Sequence, residues 1–132
     1  MNYIDCHNHS TYSFDAKNSV YDMCLAAQQA GLSVFAITDH ADVHVFEEFH
    51  IGENIKASLE ELNQMKSRFF DIKIIAGIEL GQPLQAPARA TELLSLNGLD
   101  FVIGSLHNLQ GEEDFYFLDF EKTTNQERKA IL

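Results

Sequence analysis

Two histidines, His7 and His9, stand one residue apart near the start of the chain in the stretch DCHNHSTYSFD, which ends at Asp15. In an extended segment, residues i and i+2 point to the same side, so both imidazole rings can face one point. Imidazole and carboxylate groups are common ligands of transition-metal ions. This stretch therefore predicts one part of a metal site.

Three further apolar runs end in residues of the same kinds: ITDH contributes Asp39 and His40, GIEL contributes Glu79, and GSLH contributes His107. In parallel α/β folds the carboxyl ends of the strands form one common face, so these side chains are expected to gather there. A single histidine after a strand is more often a hydrogen-bonded loop residue. Charged groups gathered so closely, however, would repel or desolvate one another without a cation between them. The predicted metal ligands are His7, His9, Asp15, His40, Glu79 and His107.

The predicted ligand set joins imidazoles to carboxylates without a thiolate cluster, which favours Zn, Mn or Fe in a catalytic site. More than four candidate ligands imply more than one ion, and Glu79 is the natural bridge because a carboxylate has two oxygens. Neighbouring ions would share a water or hydroxide, lower its pKa and neutralise the oxygens of a phosphoryl group. Such chemistry needs no serine or cysteine nucleophile. Asp39 is interpreted as a residue that orients a ligand, not as a ligand.

Several other residues have a weaker claim to a functional role. His44 and His50 lie in a long loop with acidic neighbours, where histidines are usually just solvated. Lys17 and Arg89 are possible phosphate partners, but nothing in the sequence brings either of them to the site. For the aromatic residues, packing in the core or on a sheet edge is favoured over lining a pocket. These aromatic residues are Phe46, Phe49, Phe115, Tyr116, Phe117 and Phe120.

The apolar pattern that must position these residues alternates short strand-like runs with longer helix-like ones. Strands separated by helices imply parallel pairing, so the predicted class is α/β with helices outside the sheet. The predicted strands are Tyr3–Cys6, Ser33–Thr38, Ile72–Ile78 and Asp100–Ser105. The predicted helices start after Asn18 or Ser19 and end at Gly31, lie within residues 53–70, and span Pro87–Leu96. A capping box at residues 124–127 predicts the start of one more helix, so the pattern is expected to continue beyond the chain.

The composition of the chain disfavours some classes of partner and some cellular locations. Nine Lys and Arg against twenty Asp and Glu give the 132-residue chain a net charge of -11, which disfavours nucleic acid and anionic membrane surfaces as partners. There is no signal-peptide pattern and no apolar run of membrane-spanning length, so a cytoplasmic location is expected. Cys6 and Cys24 are predicted to be reduced thiols that serve packing.

Four stretches, DCHNHSTYSFDA, ITDHAD, GIELG and IGSLHNL, resemble in order the first three motif blocks of the PHP domain, named for polymerases and histidinol phosphatases. Within the family, the spacing is most similar to the bacterial stand-alone histidinol-phosphatases. The resemblance implies the amino-terminal part of a distorted seven-stranded (β/α) barrel with up to three divalent metal ions. It also implies a small phosphorylated substrate and a place in histidine biosynthesis.

The resemblance also implies how the ligands share the ions. His7 and His9 would bind a first ion with Glu79, Glu79 and His107 a second, and Asp15 and His40 a third. The family pattern continues with a further histidine and an Asp-x-His block that are absent here, so each ion would lack a ligand. Residues 1–132 are therefore expected to form a single PHP domain that is incomplete at its carboxyl-terminal end.

Two functions follow as hypotheses. The first is a metal-dependent phosphomonoesterase similar to histidinol-phosphate phosphatase. The second is a truncated chain that binds metal but is weakly active or inactive, with open sheet edges covered by a homo-oligomer. A polymerase-associated nuclease module is disfavoured by the acidic charge. An amidohydrolase barrel is disfavoured because the candidate ligands after His9 come so early in the chain.

Overall fold

Four parallel strands form the sheet of the computed structural model, which describes residues 3–119, 121, 122, 124 and 126. The strands are β1 (Tyr3–Asp5), β2 (Leu32–His40), β3 (Lys73–Gly81) and β4 (Phe101–Ser105). They lie in the order β1-β2-β3-β4, and each neighbouring pair is parallel. The predicted α/β class with parallel strands is confirmed.

Three helices connect the strands: α1 (Val20–Gln29), α2 (Ile51–Arg68) and α3 (Pro87–Leu94). Single 3₁₀ turns lie at Val43–Val45 and Phe115–Phe117. Helix α1 begins where the sequence predicts, because the hydroxyl of Ser19 accepts a hydrogen bond from the backbone N–H of Asp22. Gly31, with φ of 74°, takes the left-handed conformation that commonly follows a helix. The proline at the first position of α3 loses no helical hydrogen bond there.

One buried core joins the helices to alternate residues of the central strands. Because successive strand residues point to opposite faces, the other residues of β2 and β3, including His40 and Glu79, face away from these helices. That second face is partly open, since Ile4 and Phe101 are 60% and 38% exposed. The core includes Phe35, Ile37, Ile74, Ile78, Ile55, Leu59 and Leu62.

Both central strands are longer than predicted. The sequence places their ends at Thr38 and Ile78, whereas β2 reaches His40 and β3 reaches Gly81. The change from apolar to polar residues predicts that the strands end there, but the parallel pairing continues as far as His40 opposite Glu79. Two predicted ligands are therefore part of the sheet itself, which fixes their backbone positions.

Smaller differences concern β1 and α2. Strand β1 ends one residue earlier than predicted, and Cys6 is exposed, so the packing role predicted for it is wrong. Cys24 is buried as expected. Helix α2 begins at Ile51 because His50, with φ of 51°, ends the preceding loop in the left-handed region and Ile51 is buried.

Two predictions lie outside the described residues. The helix start predicted at residues 124–127 includes positions that the structure does not describe. The aromatic residue Phe120, for which packing is predicted, is also outside the described residues. Within the part of the chain that is described, no helix combines the length and the apolar character needed to cross a membrane.

Candidate metal centre

All six predicted ligands meet at the carboxyl ends of the strands. His7, His9 and Asp15 lie in the loop after β1, and His107 lies in the loop after β4. His40 is the last residue of β2 and Glu79 lies near the end of β3. Three groups have ligand atoms within 4.8 Å of one another: His7, His9 and Glu79; His9, Asp15 and His40; and His40, Asp42 and His107.

Glu79 is at the centre of this cluster and is only 4% exposed. Its Oε2 atom lies 3.3 Å from Nε2 of His7, 3.0 Å from Nε2 of His9 and 3.5 Å from Nδ1 of His40. Its Oε1 atom accepts a hydrogen bond of 2.6 Å from the hydroxyl of Ser105 and lies 3.2 Å from Nε2 of His107. One carboxylate thus contacts imidazoles from the ends of the other three strands.

The ligand atoms of His7, His9 and Glu79, the first of these groups, have the spacing that a divalent cation needs. Nε2 of His7 and Nε2 of His9 lie 3.1 Å apart, and the nearby Oε2 of Glu79 is buried without a hydrogen-bond partner among the described residues. An unsatisfied buried carboxylate oxygen is costly. Ligand atoms about 2.1 Å from a tetrahedral ion are about 3.4 Å from one another. The observed separations of 3.0 to 3.3 Å are close to that value, so a cation would satisfy all three atoms.

Asp15 joins His9 to His40. Its Oδ2 atom lies 3.0 Å from Nδ1 of His9 and 3.5 Å from Nε2 of His40. The Asp15 side chain is 43% exposed, whereas the His9 and His40 side chains are 16% and 11% exposed. The group formed by His9, Asp15 and His40 is therefore open to solvent on its Asp15 side.

Asp42 is a member of the cluster that the sequence reasoning missed. It is 2% exposed, its Oδ1 atom lies 2.7 Å from Nδ1 of His107, and its Oδ2 atom lies 2.9 Å from Nδ1 of His40. A signal was present, because Asp42 comes two residues after His40 within ITDHAD. It was overlooked because it follows β2 and no periodicity indicates where its side chain points.

The close packing of acidic and imidazole groups changes their pKa values. The neighbouring carboxylate of Glu79 raises the pKa of His9 to about 9, although burial opposes the shift. The hydrogen bond with Asp42 raises the pKa of His107 to about 10. Burial disfavours the charged forms of Asp42 and Glu79, but hydrogen bonds from the neighbouring imidazoles outweigh burial and hold both pKa values far below the ordinary range. A cation entering this cluster would displace protons from imidazoles.

Asp39 is fully buried and supports the loop that carries His9 and Asp15. Its carboxylate accepts hydrogen bonds from the backbone N–H and hydroxyl of Ser10 at 2.6 and 2.8 Å, and from the hydroxyls of Ser13 and Ser58 at 2.8 and 2.6 Å. These contacts tie the loop to β2 and α2. The orienting role predicted for Asp39 would therefore act through the loop.

Gln82 and Asn108 anchor the segment that carries His107, and neither was predicted. Gln82 is buried, has φ of 52°, and donates from Nε2 to Oδ1 of Asn108 at 2.5 Å. The backbone carbonyl of Asn108 accepts a 3.0 Å hydrogen bond from Nε2 of Gln85. The sequence signal for a role near the site is that Gln82 directly follows GIELG and Asn108 directly follows His107.

An open cleft of about 540 Å³ lies beside the candidate metal centre. The ring of Phe14 stacks on that of His40, with centroids 4.7 Å apart. The packing role predicted for the aromatic residues holds for Phe46, which is buried, but is wrong for Tyr116 and Phe117, which are 87% and 65% exposed. The cleft is lined by Phe14, Asp15, His40, His107, Asp114, Tyr116 and Phe117.

The residues with weaker sequence signals do not line this cleft. His50 is exposed and lies 3.3 Å from Glu53, and Nδ1 of His44 lies 3.3 Å from Nε2 of Gln82. Arg89 forms ion pairs with Glu47 and Glu92. Lys17 is exposed.

The parallel sheet, its crossover helices and the cluster of imidazoles and carboxylates at the strand ends are the features of an α/β domain with a candidate metal site. The PHP domain model matches residues 5–132, so the chain belongs to the PHP domain family.

Histidinol-phosphatases are among the relatives of this chain. The histidinol-phosphatase of Lactococcus lactis is 29% identical over 117 residues, which are 88% of this chain and 43% of that protein. A probable histidinol-phosphatase of Clostridium acetobutylicum is 25% identical over 82% of this chain and 40% of its own length. The chain therefore spans less than half the length of these curated relatives.

A solved structure from the same family has a similar fold. It is the crystal structure of histidinol phosphate phosphatase from Lactococcus lactis complexed with zinc, L-histidinol and phosphate. The TM-score is 0.74 at 27% identity, over 89% of this chain and 46% of that chain. The predicted partial PHP barrel fold is confirmed by this likeness.

Proposed function

We propose that this chain forms the metal-binding part of a phosphomonoesterase that acts on a small phosphorylated substrate. The observation that carries the proposal is the buried carboxylate of Glu79, which lies within 3.3 Å of Nε2 of His7, His9 and His107. Such a carboxylate among imidazoles is the ligand set of catalytic Zn, Mn or Fe ions. We propose that ions of this group bind here.

The chain's own residues would hold and orient these ions. We propose His7, His9 and Glu79 for a first ion, Glu79 and His107 for a second, and Asp15 and His40 for a third. When bound, such an ion supplies a Lewis acid that lowers the pKa of water and neutralises phosphoryl oxygens. The chain's own residues position these ions. Glu79 is held in place for this role by the pairing of β3 in the sheet and by the hydroxyl of Ser105.

The cleft beside the cluster suggests the kind of substrate. Phe14, Tyr116 and Phe117 line it with aromatic side chains, and Asp114 lines it with a carboxylate that is not among the proposed metal ligands. Aromatic faces favour a flat ring and carboxylates favour an ammonium group. We therefore propose histidinol phosphate, which has an imidazole ring, an amine and a phosphate ester, and thus a role in histidine biosynthesis.

A second candidate function is a metal-binding chain with little or no turnover of its own. It is favoured by the partly open sheet face at Ile4 and Phe101. In this case residues 1–132 would be one incomplete PHP domain, and a homo-oligomer would cover the edges at β1 and β4. Sedimentation velocity of the purified chain would show whether such an oligomer forms. The cytoplasmic location stays a prediction from the sequence.

The test is phosphate release from L-histidinol phosphate by the purified chain, with Zn, Mn or Fe and with a chelator. We expect metal-stimulated release that is lost in His7→Ala. His50→Asn is the matched control, because His50 is exposed outside the cluster and asparagine tolerates its left-handed conformation. Equal metal-dependent rates in His7→Ala and the parent protein would contradict the assignment. Bound metal without turnover would favour the second candidate.

A further inference from the structure

Asp42 contacts two candidate ligands on the side away from Glu79. Its Oδ1 atom lies 2.7 Å from Nδ1 of His107, while Nε2 of the same ring lies 3.2 Å from Oε1 of Glu79. The two nitrogens of one imidazole therefore face two different carboxylates. We infer that Asp42 is a positioning residue that holds the Nδ1–H of His107 and so reserves its Nε2 for an ion at Glu79. This inference rests on the proposed metal-binding function.

His107 must lose one proton before it binds a metal, and the chemistry of the neutral imidazole that results supports this division of roles. Only one ring nitrogen carries a proton, and the other has the lone pair that binds a metal. A carboxylate only accepts hydrogen bonds when ionised, so Asp42 selects the form of His107 that is protonated at Nδ1. Metal-binding histidines commonly donate their other N–H to a carboxylate in this way, which fixes the orientation of the ring.

Gly81 supplies an independent observation, because the space for the Asp42 carboxylate exists only while this residue lacks a side chain. A Cβ atom at Gly81 would overlap Oδ1 of Asp42 and would lie 3.3 Å from Nδ1 of His107. Gly81 is not among the glycines with positive φ, so its backbone conformation does not require glycine. The glycine at the end of β3 is thus explained by the contact between Asp42 and His107.

The second carboxylate oxygen lies close to His40. Oδ2 of Asp42 is 2.9 Å from Nδ1 of His40, but the two atoms are not aligned for a hydrogen bond, and both are buried without another partner among the described residues. Nε2 of His40 lies 3.5 Å from Oδ2 of Asp15, on the far side of the ring. One buried carboxylate therefore contacts two of the proposed ligands, and its hydrogen bond is to His107.

The test is nitrogen NMR of the full chain with ¹⁵N-labelled histidine rings, titrated with zinc, with His107 assigned from a His107→Gln spectrum. We expect Nε2 of His107 to show a metal-bound shift while Nδ1 keeps its proton. Calorimetry should show zinc binding weakened by about 10- to 100-fold in Asp42→Asn. Gly81→Ala should weaken binding in the same direction. Gly104→Ala is the matched control, because its methyl group meets open space beside the same end of the sheet.

Zinc bound through Nδ1 of His107, or equal zinc affinity in Asp42→Asn and the parent protein, would overturn the inference. If Asp42→Asn does not fold by circular dichroism, the spectrum of the parent protein decides the question by itself. Neither measurement depends on turnover. If the NMR spectra are as expected but the protein releases no phosphate, only the proposed function is contradicted. If Asp42→Asn releases phosphate and binds zinc as tightly as the parent protein, only this inference is contradicted.

Discussion

The Nε2 atoms of His7 and His9 lie 3.1 Å apart, and each is within 3.3 Å of the same oxygen of Glu79. Two imidazole nitrogens at this distance can share only one proton in a hydrogen bond. The third atom of the group, Oε2 of Glu79, has no hydrogen bond among the described residues.

Glu79→Gln is expected to weaken zinc binding by at least about 100-fold, more than the loss of a residue that only supports a ligand. The amide removes one negative charge and replaces one ligand oxygen by an NH₂ group that cannot bind a cation. Calorimetric titration with zinc measures the change. Glu92→Gln is the control, since Glu92 is exposed and pairs with Arg89. Equal affinity in the Glu79→Gln and parent proteins would remove Glu79 from the ligand set.

Ser105→Ala tests whether Glu79 needs its hydroxyl partner. The 2.6 Å hydrogen bond from Ser105 to Oε1 of Glu79 goes to a charged and buried group, for which about 1.5 to 3 kcal/mol is typical. We expect the free energy of unfolding in urea to fall by that amount when a chelator is present. Ser95→Ala is the control, because its hydroxyl donates to a backbone carbonyl at an exposed helix end. Equal losses in the two variants would argue against a charged acceptor.

Asp39→Asn is expected to lower the free energy of unfolding by about 3 kcal/mol, because the buried carboxylate accepts from four donors and an amide cannot accept from all of them. Urea unfolding followed by circular dichroism measures this loss. Ser58→Ala, which removes one of the donors, should cost less than Asp39→Asn. A loss below that of Ser58→Ala would show that the carboxylate charge is unimportant for the loop.

The ion pair of Lys66 with Asp100, 2.6 Å long, predicts a dependence of stability on pH. Burial opposes ionisation of Asp100, but hydrogen bonds from Lys66 and from the backbone N–H of Ala76 outweigh it and lower its pKa. A carboxyl group with a lower pKa in the folded state stabilises the fold above about pH 4, and this contribution is lost as the pH falls through the folded-state value.

Asp100→Asn should therefore destabilise the protein at pH 7 by less than about 1 kcal/mol, because the pair is partly exposed. The difference from the parent protein should shrink below pH 4, as measured by urea unfolding at several pH values. Asp119→Asn is a control with the same chemistry at an exposed position next to Lys122. A difference that grows as the pH falls would contradict this account of Asp100.

The sequence was sufficient to predict which strand ends carry ligands, because a parallel sheet brings all its carboxyl ends to one edge. It was not sufficient to predict the ends of β2 and β3, where polar residues such as Glu79 stay within the paired strands. Asp42 was missed because its position depends on the turn after β2. The support of Asp39 by Ser58 was also out of reach, since it depends on how α2 packs on the sheet.

His40 and Glu79 are directly opposite one another in neighbouring central strands, and Glu79 is opposite Ile103 on its other side. Glu79 is thus attached to backbone that is paired on both sides, and His40 to backbone that is paired with β3, before any ion arrives. Capture of an ion would then require little ordering of the chain. We expect selectivity among ions to follow from how well each one tolerates a preset spacing, and not from a loop closing around it.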